Sequence, residues 1–168
     1  GLGDVYKRQE DSLCNLWVAT MGGICLYDRE NDNFRTLSNG GKPIYVASYL
    51  LVEGGVLLSG SGAIYKYAYA TNKLEPLYYA QDPAYYTPFW QMIRFDDENI
   101  LLNSRWHGIY SFNMRTYELK KIESFTEKNY TCIYLDSYHR LWVSVYGSGL
   151  YCYQDDKQIK HFTASNSP

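Results

Sequence analysis

An all-β chain built from four copies of one four-stranded unit is the architecture that these 168 residues predict. Three observations carry that prediction. Aromatic residues are abundant, with 19 Tyr, 6 Phe and 4 Trp, and they fall with β-branched residues in short runs between Gly and Asx clusters, which is how strands read. The runs recur with a period of 40 to 45 residues. Three registers inside that period keep step with one another, so the repeat does not rest on a single run.

The first register is LWVAT, VLLSG, ILLNS and LWVSV, opening at Leu16, Val56, Ile100 and Leu141, with spacings of 40, 44 and 41. Each of these apolar runs fits a strand buried on both faces. A small or polar turn follows, and then a run with alternating aromatics: ICLYD from Ile24, IYKYA from Ile64, IYSFN from Ile109 and LYCYQ from Leu150, spaced 40, 45 and 41. A polar hairpin leads to a third run at Phe34, Leu74, Leu119 and Ile159, which lies 7, 7, 7 and 6 residues beyond the last aromatic of the run before it. A fourth strand precedes the apolar run in three units, as YVASYLLV (45–52), FWQMIRF (89–95) and YTCIYLD (130–136). Four antiparallel strands per 40 to 45 residues is the pattern of a β-propeller blade, and the chain reads as an incomplete β-propeller with blades at about 10–37, 44–79, 88–124 and 129–162.

The first unit lacks a convincing innermost strand. Residues 1–9, GLGDVYKRQ, hold its place and read as a non-native leader of the kind left by a translated adaptor. The other end, at Ser165 to Pro168, falls in a loop that should lead to a further blade, so an isolated arc with exposed blade faces is expected to be marginally stable.

Composition narrows the function. Apolar residues are 46% and charged residues 20%, which argues against disorder, and 16 Lys plus Arg against 18 Asp plus Glu leave no basic footprint for nucleic acid. No run approaches the roughly 18 apolar residues of a membrane span, since Ile44 to Leu58 is interrupted by Glu53, Gly54 and Gly55. Cys14, Cys25, Cys132 and Cys152 form no CxxC pair and read as small buried hydrophobes.

The segment Asp11 to Ser38, DSLCNLWVATMGGICLYDRENDNFRTLS, resembles the two-component regulator propeller repeat, which runs Asp, two residues, Gly, one residue, Leu-Trp-Ile-Gly-Thr, then Gly-Gly-Leu and a Tyr-Asp hairpin. Asp136 to Phe162 repeats it, whereas Leu57 and Leu101 stand where Trp17 and Trp142 stand in the outer units. Cys14 and His139 replace the Gly of the family's turn, at a modest cost if that position needs positive φ. The resemblance implies a piece of the sensor region of a hybrid two-component histidine kinase: a periplasmic receptor region, anchored in the inner membrane through its parent and regulating glycan-utilisation genes, with propellers of about seven blades. It further implies the remaining blades, and a homodimer of the parent receptor, as partners.

Catalytic and cofactor signals are weak. Gly60-Ser61-Gly62 and Gly147-Ser148-Gly149 lack the spacing of a nucleophile elbow and sit where tight turns are needed. His107, His139 and His161 share no metal-ligand spacing, Asp28, Glu30 and Asp32 fit a solvated hairpin tip, and no phosphate-cradling Gly motif is present, so neither a metal nor a cofactor is expected. Trp17 and Trp142, flanked by Leu and Val, are expected to pack between blades.

Binding residues are expected instead on one rim, where turns between second and third strands meet the links between blades. Most of these turns carry small residues. Blade three is the exception: Arg105, Trp106 and His107 stand there, with Tyr85 and Tyr86 in the link before it and Tyr146 in the corresponding turn of blade four. An indole face beside a guanidinium suits a sugar ring, with stacking on its C–H groups and hydrogen bonds to hydroxyls or a uronate. Alternatively, Trp106 caps a neighbouring blade and Arg105 is merely solvated. Together with the sensor role that the resemblance implies, this makes non-enzymatic sensing of an oligosaccharide or other small ligand the expected function. A protein interaction scaffold and a propeller lyase or glycosidase are the rivals, the latter needing paired carboxylates at the channel.

Overall fold

The computed structural model describes residues 5–11, 13–20, 22–60, 62–80, 89–126 and 128–166, and the side chains of residues 5–9 and 43 fall outside that description. The chain forms two compact units, Gly1–Pro88 and Phe89–Pro168. Every described element of both is a strand or a turn between strands.

In the first unit, β1 (Val5–Glu10), β2 (Leu16–Thr20), β3 (Gly23–Asp28) and β4 (Asn33–Thr36) form one sheet in chain order. A two-residue hairpin, β5 (Ser38–Asn39) with β6 (Lys42–Pro43), links it to a second sheet of β7 (Val46–Val52), β8 (Gly55–Gly60), β9 (Ala63–Ala68) and β10 (Lys73–Tyr79). The second unit repeats the plan. Its sheets are β11 (Gln91–Arg94), β12 (Asn99–Ser104), β13 (Gly108–Asn113) and β14 (Leu119–Lys121), then β15 (Tyr130–Leu135), β16 (Leu141–Val145), β17 (Gly149–Gln154) and β18 (Lys157–Phe162). Each sheet is an antiparallel meander, the connectivity of a propeller blade.

Burial follows the predicted hierarchy. The second strands are the most covered: all six residues of β8 are buried, as are five of the six in β12. The outermost strands turn polar, and all four residues of β4 are exposed. Pro76 lies in β10, at the outer edge of its sheet, where no ladder donor is missed. In β16, Leu141, Val143 and Val145 are buried and join Leu101, Ile109 and Phe125 of blade three in one core, while Trp142 and Ser144 occupy the other face. The inner edge of β15 is closed by a side chain. The Gln91 amide donates to Ile133 O and accepts from Ile133 N, both at 2.7 Å, so a blade-three residue completes the backbone bonding of blade four.

The structure corrects two expectations. Val5–Glu10 is a strand, paired antiparallel with β2 from Glu10↔Leu16 to Val5↔Thr20, so blade one has an innermost strand despite its charged sequence. Pairing there is a backbone property, and a short edge strand tolerates charge. The cysteines are not uniformly core residues: Cys152 is buried, Cys25 is half-buried, and Cys14 and Cys132 are exposed, all four as free thiols. Cys14 sits in a turn and Cys132 on an innermost strand, positions with no interior to fill.

The substituted Gly position keeps its geometry. Cys14 and His139 both have φ of 60°, so the family's turn persists with non-Gly residues held in the left-handed region. Asp11 and Asp136 hold it. Asp11 Oδ1 accepts the backbone N–H of Leu13 and Asn15, and Oδ2 accepts Trp17 Nε1 at 2.9 Å. Asp136 Oδ1 accepts the N–H of Tyr138 and Arg140, and Oδ2 accepts Trp142 Nε1 at 2.8 Å.

Candidate functional site

The rim singled out by sequence is assembled in the second unit from three loops: the β12–β13 turn (105–107), Lys128 and Asn129 in the link before β15, and the β16–β17 turn (146–148). Asn129 is their junction. Its side-chain Oδ1 accepts from Arg105 Nε at 3.2 Å, and its carbonyl accepts the N–H of Tyr146 at 2.9 Å. One residue further on, Tyr130 N–H donates to Arg105 O at 2.8 Å. Turn and link are thus laced together by backbone bonds, which gives loop side chains a fixed base.

Gly108 lets the β12–β13 turn close. It has φ of +102°, and a Cβ there would lie 2.6 Å from Phe125 O, so only Gly permits this approach of the chain next to Trp106. Gly149, with φ of +97° and Phe162 O at 2.1 Å from a notional Cβ, does the same in blade four.

On this base Trp106 stands 52% exposed, and the Arg105 guanidinium lies 5.4 Å from its ring centroid, within cation–π range. The Nη groups of Arg105 make no hydrogen bond among the described residues, so they can serve an incoming acceptor. Tyr146 is 76% exposed and His107 half-buried. Lys128 adds a second cation, its Nζ 5.1 Å from the Tyr151 ring, and Tyr151 stacks on His161 at 4.0 Å. Of the six residues predicted for this rim, Arg105, Trp106, His107 and Tyr146 fall on neighbouring loops, while Tyr85 and Tyr86 lie outside the described residues. Sequence reasoning placed the links between blades on this rim but singled out neither Asn129 nor Lys128. A link Asn looks like any turn residue, and only its two-sided bonding marks it.

Elsewhere the expectations hold in part. Trp17 is fully buried, edge-on to Tyr67 at 5.2 Å, as interblade packing requires. Trp142 is half-buried and stacks on Phe162 of its own sheet at 6.1 Å. Burial alone would push the Asp11 carboxyl up, but hydrogen bonds from Tyr69, Trp17 and Asn15 outweigh it and lower its pKa to about 2. The same balance, with Trp142 and Arg140 as donors, holds Asp136 below the usual carboxylate range. Among the described residues no three His, Cys, Asp or Glu side chains are placed to hold a metal ion, and no helix is long and apolar enough to cross a membrane.

No protein-family model and no curated protein matches the chain. Solved structures do. The extracellular domain of one hybrid two-component system from B. thetaiotaomicron matches with a TM-score of 0.71 at 17% identity, over 92% of this chain and 23% of its own. A second from the same organism matches with a TM-score of 0.71 at 15% identity, over 98% of this chain and 22% of its own. A streptogramin B lyase matches with a TM-score of 0.73 at 12% identity, over 97% of this chain and 56% of its own. The chain therefore spans about a fifth to a quarter of the sensor domains it matches. At such identities the likeness is one of fold. The described residues form four blades of a β-propeller, similar in fold to the extracellular domains of hybrid two-component systems and consistent with the two-component regulator propeller repeat that Asp11 to Ser38 resembles.

Proposed function

We propose that the chain is part of a ligand-sensing propeller in the periplasmic region of a hybrid two-component receptor, that it is not an enzyme, and that it binds an oligosaccharide at the Arg105–Trp106 rim. The observation that carries this reading is the convergence of Arg105, Asn129 and Tyr146 through Asn129's two bonds, beside an exposed indole and a guanidinium whose Nη groups make no hydrogen bond among the described residues. A pyranose would lay its C–H face on Trp106, and Arg105 would donate to ring hydroxyls or to a uronate carboxylate. Sensing then needs only that the occupied receptor favour one arrangement of its domains over another. The likeness to extracellular domains of hybrid two-component systems supports the sensor class and the location.

Calorimetric titration of the parent receptor's extracellular region with neutral and uronate-containing oligosaccharides tests the reading. Trp106→Ala is expected to weaken binding of both by about tenfold or more, and Arg105→Ala to weaken the uronate in particular. Affinity unchanged by Trp106→Ala would remove the rim site. Turnover of the oligosaccharide would replace the sensor with an enzyme, a class that the fold also hosts, as the streptogramin B lyase shows.

A further inference from the structure

The crevice between blades three and four opens at the strand ends opposite Arg105, and nothing in the rim site uses it. Its cavity of about 440 Å³ is walled by Leu101, Ser111, Phe125, Leu141 and Tyr153, with Ser111 paired to Leu101, and the exposed His139, Asp155 and Asp156 lie at its mouth. That volume lies within the range of small-molecule sites, and an apolar body with a few polar groups at one end is their usual composition. We propose that this crevice binds a small primary ammonium compound with an aromatic or aliphatic body.

The sign of the ligand's charge follows from the mouth. Asp155 and Asp156 make no ion pair among the described residues. Asp96, whose carboxyl is lowered mainly by Asn99 and backbone bonds against the opposing effect of burial, adds negative charge near His139. Lys157, next to Asp156 in the chain, is exposed and makes no ion pair among the described residues, and Arg140 is committed to Asp136 at 2.8 Å and lies against the Tyr138 and Trp142 rings. His139 rests on Phe95 with ring centroids 4.8 Å apart. An apolar chamber with two unengaged carboxylates at its lip favours a cation over a neutral or acidic molecule of the same shape. Ring faces from Phe95, Phe125 and Tyr153 favour an aromatic body.

The test is titration of the full chain, followed by NMR, with three probes that share a phenylethyl body: 2-phenylethylamine, 2-phenylethanol and 3-phenylpropanoate. The amine is expected to bind with Kd on the order of 1 mM or below, the alcohol about fivefold more weakly, and the carboxylate not measurably. Asp155 and Asp156 have φ of 48° and 60°, a conformation that Asn accepts as readily, so the double change Asp155→Asn and Asp156→Asn alters charge while keeping the turn. It should bring the amine down to the affinity of the alcohol. Ser111→Phe, which fills the chamber, should abolish binding of both, with thermal unfolding as the check on its fold. Equal binding of amine and alcohol, amine binding untouched by the Asn pair, or no saturable binding of any probe would each overturn the proposal. None of these outcomes bears on the rim site.

Discussion

Blades one and four carry the same sentence of sequence, Asp followed six residues later by Trp, and the structure gives it two different surroundings. The local part is identical: a carboxylate gathers two backbone N–H groups and the indole N–H, and the residue three beyond the Asp sits at φ of 60°. The non-local part differs. In blade one, Tyr67 packs edge-on against Trp17, and Tyr69 donates its hydroxyl to Asp11 Oδ2 at 2.5 Å, so blade two closes the motif. In blade four, Arg140 Nε takes the second position on Oδ2 at 2.8 Å, and Trp142 is half-buried against Phe162. The motif is thus a turn lock that works within one blade. A neighbouring blade turns it into an interface by supplying rings and a phenol.

The largest expected consequence is in the tryptophans. Trp17→Ala empties a fully buried site and removes the ring that Tyr67 meets, a loss of about 3–5 kcal/mol. Trp142→Ala removes a partly solvated ring, with an expected cost of no more than about 2 kcal/mol. Denaturant unfolding of the full chain measures both. Equal losses would mean that the two motifs share one environment and that the contrast drawn from burial is wrong.

Acid separates the motifs next. The Asp11 pKa is lowered from 3.8 to about 2, so its contribution is complete above the ordinary value and disappears as pH falls through about 2. Tyr69 is the largest of the donors that lower it, and the phenol's own pKa is raised by burial and by the Asp11 carboxylate. Tyr69→Phe removes this donor and should move the acid transition of the first unit upward in pH, toward the ordinary Asp value. Melting temperature followed from pH 7 downward, in steps of about half a unit, reads this shift. Arg140→Met in blade four is the matching change, and it should move only the transition of the second unit. A Tyr69→Phe curve that overlays the parent would remove the phenol from the account.

These contrasts also mark where sequence was informative. The strands were legible because a strand buried on both faces must be largely apolar, as in Val56 to Leu58, and because paired runs recur at one spacing. β1 was not, since Val5–Glu10 pairs through its backbone with β2 and its charges say nothing of that. Arg105 and Trp106 stood out because two large residues lead a turn that elsewhere is mostly small. The junction at Asn129 and the crevice by Asp155 were illegible for a different reason. Each is assembled from residues tens of positions apart, and each residue taken alone fits a solvated turn.

The smallest effect lies in the turn itself. Cys14 and His139 occupy the left-handed region that their family fills with Gly, and a Cβ there costs on the order of 1 kcal/mol, offset in part by the greater freedom that Gly gives the unfolded chain. Cys14→Gly should therefore stabilise by a few tenths of a kcal/mol, since the exposed thiol has little packing to lose. His139→Gly should gain less or turn unfavourable, because it gives up the ring contact with Phe95 at 4.8 Å. Chemical denaturation in matched conditions compares the pair. If Gly stabilises both positions equally, the His139 ring adds nothing to blade four. If it destabilises Cys14, the turn carries no strain and the residue has a role that its φ does not reveal.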